Sequence, residues 1–301
     1  MSRIRQSGQG SLILLAALFA CANAGEPSAQ DAEKPKVEPT LTVATYNINW
    51  GNVDLPQTVA VIRKALADLV LLQETTVQSE AYLRRTLGSE YRHVLFQGDR
   101  GQYAAERFGI LSKLPVAELR FLKPQRGLFG AWIGNVRWDG RKLQFVNVHL
   151  QPALMSRGIS FTAAMQAFRQ MEETHAREIE HVVKNLPLES PTLIAGDFNS
   201  MSSFAAPTFL AGKGLVDSFA SVTDQPDTRV TWRWPTKLLE LSGRIDYIFH
   251  TRQLRTVRSE IIPSTASDHH LLVSRLQWQR EPIAGLDGAG SPAPNPADRG
   301  N

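Results

Sequence analysis

Cysteine is almost absent from this chain: Cys21 is the only one in 301 residues. A single thiol closes no disulfide within the chain, so the fold has to rest on a buried core, which a domain of this length can supply. The same count excludes a Cys-rich zinc site. Long apolar runs are also missing, and nothing approaches the ~20 consecutive residues of a membrane-spanning helix. Charge of one sign is scarce too. With 33 Lys and Arg against 29 Asp and Glu, the formal net charge is +4. That is compatible with an anionic substrate but sparser than the dense basic face of a dedicated nucleic-acid binder.

What is present begins with a leader. Met1–Ala24 combines a basic start (Arg3, Arg5), the apolar run Leu12–Ala20 and small residues after it, the pattern of a signal peptide. Two processing readings stay open. Ala22-Asn23-Ala24 fits cleavage before Gly25, whereas Leu18-Phe19-Ala20-Cys21 resembles a bacterial lipobox in which Cys21 is lipidated and anchors the protein. Either places the mature protein outside the cytoplasm, periplasmic or extracellular. Loss of Arg3 and Arg5 brings the net charge to +2. Residues 25–39, rich in Pro, Ala, Glu and Lys, read as a flexible linker, and residues 281–301, rich in Pro, Gly and Ala, as a disordered tail. Residues 40–280 are left as one α/β domain, expected to be monomeric.

Within it, Leu41–Ile48 alternates as a half-buried strand does, and Leu69–Leu72 is a continuous apolar run suited to a strand covered on both faces. Further strands are expected at Phe108–Leu111, Trp132–Trp138, Leu143–His149, Thr192–Ala195, Arg229–Trp234, Ile245–His250 and Leu271–Trp278. Asp139-Gly140 marks a hairpin between two of them. Helices are expected at Pro56–Ala67, Glu80–Leu87 and Phe161–Asn185. The last shows apolar spacing through Phe161, Ala164, Met165, Phe168, Met171, Ile179, Val182 and Val183. Its charges, Glu172, Glu173, Arg177, Glu178 and Glu180, read as a solvated face, with His175 and His181 on it. Strands outnumber helices and hairpins mix with crossovers, which points to packed mixed sheets with helices outside.

Polar residues stand where these strands stop. Asn47 and Asn49 follow the first run, Glu74 the second, His149 the hairpin, and Asp197 and Asn199 the Thr192 strand; Asp246 opens one run, and Ser267-Asp268-His269-His270 precedes the last. Any one of these is an ordinary turn or cap. A whole series of carboxylates, amides and imidazoles at one kind of strand end points to a single active site. The histidines lack zinc-ligand spacing, and an oxygen-rich set suits Mg²⁺ or Mn²⁺. Metal and imidazole would neutralise phosphoryl charge while a carboxylate activates water, the parts of a phosphoester hydrolase. His270, next to His269 on an extended segment, points the other way and reads as structural. The strip Arg229, Trp232, Arg233, Trp234, Lys237 either stacks a base and holds a phosphate, or is a hairpin with Trp inside and Arg outside. Arg100, Gln102 and Arg107 either line the cleft or solvate a loop.

Six ordered motifs carry a resemblance. Thr45-Tyr46-Asn47, Leu72-Gln73-Glu74-Thr75, Asn147-Val148-His149-Leu150, Gly196-Asp197-Phe198-Asn199, Arg244-Ile245-Asp246-Tyr247-Ile248 and Ser267-Asp268-His269 resemble the endonuclease/exonuclease/phosphatase (DNase I-like) family. The resemblance implies a four-layered α/β sandwich, two packed mixed β-sheets flanked by helices. It implies that Glu74 binds the divalent metal with Asn47, and that Asp268 lies near the metal or the His pair. Asp197 would orient or deprotonate water, Asn199 would hold water or phosphate, and His269 would contact the phosphate with its tautomer fixed by Asp246. His149 would donate to a phosphoryl oxygen or the leaving group, and Asn49, Trp232 and Arg233 would touch substrate. His149 in Asn-Val-His places the chain nearer the DNase, sphingomyelinase and phosphatase side. Met201, where inositol-phosphate phosphatases carry Arg, weakens that branch. A nucleic-acid substrate is favoured, with exported lipid or small-molecule phosphoesters as the alternative. A fold that has lost its activity and only binds is the contrary class, opposed by the full set of carboxylates and imidazoles.

Overall fold

A computed structural model describes residues 38–98, 107–125, 127–152, 161–235 and 240–279. The leader with Cys21, nearly all of the 25–39 linker, Arg100, Gln102, Lys237 and the 281–301 tail lie outside the described residues.

In chain order the elements are β1 (Leu41–Asn47), α1 (Leu55–Ala65), β2 (Leu69–Gln73), α2 (Val77–Leu87), β3 (His93–Gln97), β4 (Phe108–Ser112) and β5 (Val116–Leu122). The hairpin β6 (Ala131–Trp138) and β7 (Arg141–His149) follows, then α3 (Phe161–Lys184), β8 (Thr192–Asp197), α4 (Ala205–Gly212) and β9 (Val216–Asp217). The chain closes with β10 (Trp232–Pro235), β11 (Glu240–Gly243), β12 (Asp246–His250), β13 (Leu254–Ile262) and β14 (Leu271–Trp278).

Two six-stranded mixed sheets result, ordered β13-β14-β1-β2-β4-β3 and β5-β6-β7-β8-β12-β9, with β10 and β11 as a separate hairpin. Strand alternation explains the layering. In β1, Leu41 and Val43 turn to a core shared with Phe145, Leu193 and Ile248 of the other sheet, while Ala44 and Tyr46 pack under Val59 and Ile62 of α1. In β8, Leu193 and Ala195 face the shared core, and Ile194 joins Ile179 and Val182 of α3. The order is therefore helices, sheet, sheet, helices: the four-layered sandwich.

Local chemistry sets the ends of the elements. Asp54 caps α1 by accepting from the Gln57 N–H at 3.0 Å. A reciprocal Thr76–Ser79 capping box starts α2 at Val77, three residues ahead of the start expected at Glu80. Asp139 and Gly140 both adopt positive φ, the geometry of a two-residue hairpin turn, and Trp138 pairs with Arg141 across it.

One expectation fails on α3. His175 is fully buried and Glu178 nearly so, where a solvated face was expected. Phe168, Met171, His175, Glu178 and Val182 follow a 3-4-3-4 spacing, so both lie on the inward stripe rather than opposite it.

Candidate active site

The strand ends meet because of register. In the second sheet, His149 pairs with Asp197 across the parallel β7–β8 pair, and Asp246 pairs with Asp197 across β12–β8. Three functional side chains thus stand abreast on three neighbouring strands. In the first sheet, Asn47 pairs with Gln73 across parallel β1–β2, and Glu74 follows directly. Below this edge the sheets are tied by a buried amide bridge. Gln73 Nε2 donates to Asn147 Oδ1 at 2.7 Å, and Asn147 Nδ2 to the Leu72 carbonyl at 3.1 Å. Buried amides paired this fully fix one alignment of two sheets that apolar contact alone would leave free to slide.

Close backbone approach is needed at one point. A Cβ on Gly196, at φ +151°, would sit 1.9 Å from the Val148 carbonyl oxygen, so only glycine lets β8 deliver Asp197 beside His149. Asn49, Glu74 and Asn199 also hold positive φ. Asn tolerates that region, but Glu pays ordinary steric strain there, of order 1–3 kcal/mol. Glu74 is held by the Asn47 amide at 2.9 Å on one oxygen and the Trp50 N–H at 3.1 Å on the other.

Asn47 is the hinge of the site. Its amide also donates to Asp197 Oδ2 at 3.0 Å, and its carbonyl accepts from the Asn49 N–H at 3.0 Å. Asp197 Oδ1 accepts from the Asn199 N–H at 2.8 Å, leaving Oδ2 facing His149 Nε2 and His269 Nε2, each at 3.6 Å. The Asn199 side chain is spent on the Leu150 carbonyl, at 3.0 Å, which fixes the turn after β8. His269 Nδ1 meets Asp246 Oδ2 at 3.0 Å, while the Asp246 N–H is anchored on Thr231 Oγ1 at 3.1 Å. Phe129 stacks on His149 with ring centroids 4.3 Å apart. Asp268 stands at the rim, accepting from Asn49 Nδ2 at 2.7 Å and Trp232 Nε1 at 3.1 Å. Trp232 is half-buried and Arg233 exposed.

Burial shapes the electrostatics. It raises the Glu74 carboxyl, opposed by the Asn47 amide and the Trp50 N–H. Burial also raises Asp197, against the pull of His269 and with the push of Asp246. For His269, burial disfavours the cation, but Asp246 and Asp197 outweigh it and raise the imidazole to about 10, so it is charged at neutral pH. Four carboxylates, Glu74, Asp197, Asp246 and Asp268, converge here on the His149 and His269 imidazoles.

That excess of buried negative charge is where a divalent cation fits. Ligand atoms of Glu74, His149 and Asp197 lie within 4.8 Å of one another, as do those of Asp197, Asp246 and His269. The donors are mostly oxygen, which suits a hard cation.

Several supports of the site carry no motif of their own. Gln73, Asn147, Thr231 and Phe129 are four. A fifth is a clamp from α3. His175 Nε2 lies 2.7 Å from the Gln151 carbonyl, and Glu178 Oε2 accepts the Gln151 N–H at 3.1 Å, gripping both backbone groups two residues after His149. Gly127 lies directly against Glu178, where any Cβ would collide with the carboxyl. The 3-4-3-4 spacing was the signal that could have found the clamp.

Known proteins share this fold and sequence family. The sequence matches the Endonuclease/Exonuclease/phosphatase family over residues 44–269. No curated protein sequence matches it. Among solved structures, an endonuclease/exonuclease/phosphatase from Beutenbergia cavernae is 20% identical, with a TM-score of 0.58 over 81% of this chain and 73% of that one. TDP2 from D. rerio complexed with single strand DNA product is 19% identical, with a TM-score of 0.58 over 80% of this chain and 100% of that one. The human Nocturnin catalytic domain with bound sulfate anion is 14% identical, with a TM-score of 0.60 over 81% of this chain and 96% of that one. At these identities the likeness is one of fold.

Proposed function

The chain belongs to the Endonuclease/Exonuclease/phosphatase family, and on that premise we propose that this metal-dependent phosphoester hydrolase is an exported nuclease that cleaves phosphodiester bonds of DNA or RNA. The observation that carries the reading is the placement of Asp197 Oδ2 between two imidazoles and the Asn47 amide. A carboxylate with raised proton affinity, locked on its other oxygen by Asn199, is suited to orient water and take its proton.

Glu74, with Asn47 beside it and Asp268 at the rim, would hold Mg²⁺ or Mn²⁺. The ion would supply charge neutralisation at the phosphate. The remaining steps belong to the protein. Asp246 keeps His269 protonated, and its Nε2–H stabilises charge on a phosphoryl oxygen. As the water oxygen bonds to phosphorus, its proton passes to Asp197 and the ester bond to the leaving oxygen breaks. His149, its ring fixed by Phe129, gives that oxygen a proton.

Nucleic acid is favoured by the rim. Trp50, whose N–H anchors Glu74, is 55% exposed and offers a ring for base stacking, and Arg233 is exposed near Asp268. The related TDP2 fold is known with single strand DNA product. Exposed Trp50 and Val53 also favour a second reading, a lipid phosphodiester at a membrane surface. Export rests on the composition of Met1–Ala24, with Cys21 the candidate for lipidation. The test is cleavage of single-stranded and plasmid DNA with Mg²⁺, beside EDTA and Asp197→Ala controls. Cleavage lost in both controls supports a nuclease. No cleavage, together with metal-dependent release of a lipid headgroup, overturns the nucleic-acid reading in favour of the second.

A further inference from the structure

Helix α3 carries Glu172, His175, Glu178 and His181 at a strict three-residue step. Side chains three apart are neighbours on a helix surface, so the four form one ridge. Each places a polar atom on the backbone of a loop. Glu172 Oε2 accepts the Ala205 N–H at 2.7 Å, and His175 Nε2 donates to the Gln151 carbonyl at 2.7 Å. Glu178 Oε2 accepts the Gln151 N–H at 3.1 Å, and His181 Nε2 donates to the Lys123 carbonyl at 3.1 Å. A carbonyl has no proton to give, which fixes both rings as the donors.

These loops flank the site. Gln151 stands two residues beyond His149. Between them, the Leu150 N–H donates to the Asp197 carbonyl at 2.9 Å, and the Leu150 carbonyl accepts Asn199 Nδ2 at 3.0 Å. The loop that starts at Lys123 passes Gly127, whose backbone lies against the Glu178 carboxyl, and two residues later supplies Phe129, stacked on the His149 ring. Ala205 opens α4, whose N-cap residue Phe204 makes no side-chain cap, so Glu172 satisfies that helix end. His175 is fully buried and Glu178 nearly so. Burying such groups costs free energy that leucine in their place would not. What they add over leucine is a fixed backbone on either side of the His149 ring.

We propose that this ridge of α3 positions His149 for proton delivery to the leaving oxygen, by fixing Gln151 behind it and the loop that lays Phe129 on its ring. His175 and Glu178 are the positioning residues, acting through Gln151. The inference rests on His149 as the proton donor and extends that role to residues outside the six motifs. A ~1 Å misplacement of a reacting group costs on the order of 10²-fold in rate, so a backbone free to shift here shows in turnover.

The experiment compares losses of kcat on two phosphodiesters. Bis(p-nitrophenyl) phosphate releases a phenolate that leaves without a proton. A single-stranded oligonucleotide, or the lipid phosphodiester where wild type cuts only that, releases an alkoxide that needs one. His149→Ala is the reference, and its loss on the alkoxide ester should exceed that on the nitrophenyl ester on the order of 10²-fold. Glu178→Met, close in size but with no acceptor for the Gln151 N–H, and His175→Leu should show the same imbalance on the order of tenfold. Glu178→Gln, which keeps an acceptor, should restore most of it. A helix that is merely destabilised lowers both rates alike. Equal losses on the two substrates in Glu178→Met and His175→Leu, beside an imbalance in His149→Ala, overturn the positioning role and leave His149 as the donor. Equal losses in His149→Ala, or a wild type that hydrolyses only the nitrophenyl ester, overturn the donor reading and the proposal with it.

Discussion

The two sheets use the same device and end in different places. Each has a parallel strand pair, β1–β2 and β7–β8, whose carboxyl ends deliver polar side chains to one edge. On the first sheet's side the Glu74 side chain is 16% exposed and Asn49 and Asp268 stand at the rim, with Asn47 and His269 buried behind them. The second sheet's contribution is sealed: the His149 and Asp197 side chains are 1% exposed and that of Asp246 is fully buried. An open carboxylate suits exchangeable ligands such as a cation and water. In the sealed Asp197, desolvation raises the proton affinity, as it also does in Glu74. On the proposed mechanism one half binds the cation and the other handles protons, with Asn47 bridging the two.

Substitutions should separate the halves. The largest effect belongs to the sealed side. Asp197→Asn is expected to lower kcat roughly 10²–10⁴-fold even at saturating metal. Asp246→Asn removes the charge that keeps His269 protonated. His269 should then lose its proton at lower pH, so the alkaline limb of the pH–kcat profile moves down; an unmoved limb would detach His269 from catalysis.

On the open side, weakening the hold on Asp268 by Asn49→Ala or Trp232→Phe should cost ~10–100-fold in metal affinity, with kcat recovered at high metal. Glu74→Gln should act the same way more strongly, as read by titrating Mg²⁺ against rate. A kcat deficit that added metal does not relieve would erase the distinction between the halves.

The smallest effect concerns stability. Burial raises Glu178 to about 8 from 4.5. An acid whose folded pKa is raised holds its proton longer in the folded state. Folding is therefore unpenalised below about 4.5 and loses stability as pH rises through about 8. Glu178→Gln stays neutral and keeps an acceptor for the Gln151 N–H. Its Tm should fall less than wild type between pH 5 and 9, by an amount worth at most a few kcal/mol. Parallel Tm curves would mean that Glu178 ionises without cost.

The contrast between centre and edge also governs what the sequence disclosed. Strands buried on both faces announced themselves: β2 is Leu-Val-Leu-Leu-Gln, and β8 opens Thr-Leu-Ile-Ala. The interior strands β1, β2, β4, β14 and β6, β7, β8, β12 all carry such runs or clean alternation. The edge strands β3, β5, β9 and β13 went unread. β5, Val-Ala-Glu-Leu-Arg-Phe-Leu, and β13, Leu-Arg-Thr-Val-Arg-Ser-Glu-Ile-Ile, face water along much of their length, and each carries a register shift that breaks period two. The site was legible because its residues sit at interior strand ends, and the six motifs brought the family into view. Its supports were less legible. Nothing local in Gln73 or Asn147 says that they meet across two sheets, 74 positions apart. His175 and Glu178 were misplaced because residue type was weighted over helical spacing, and a Glu on an inward stripe looks like a surface residue until its burial is seen.

The most direct test of the central claim is Mg²⁺-dependent hydrolysis of bis(p-nitrophenyl) phosphate by wild type, Asp197→Asn and Glu74→Gln across a metal titration. The account predicts hydrolysis abolished by EDTA, a collapse of kcat in Asp197→Asn at any metal concentration, and a shift to higher half-saturating metal in Glu74→Gln. Asp197→Asn turning over at the wild-type rate would contradict it.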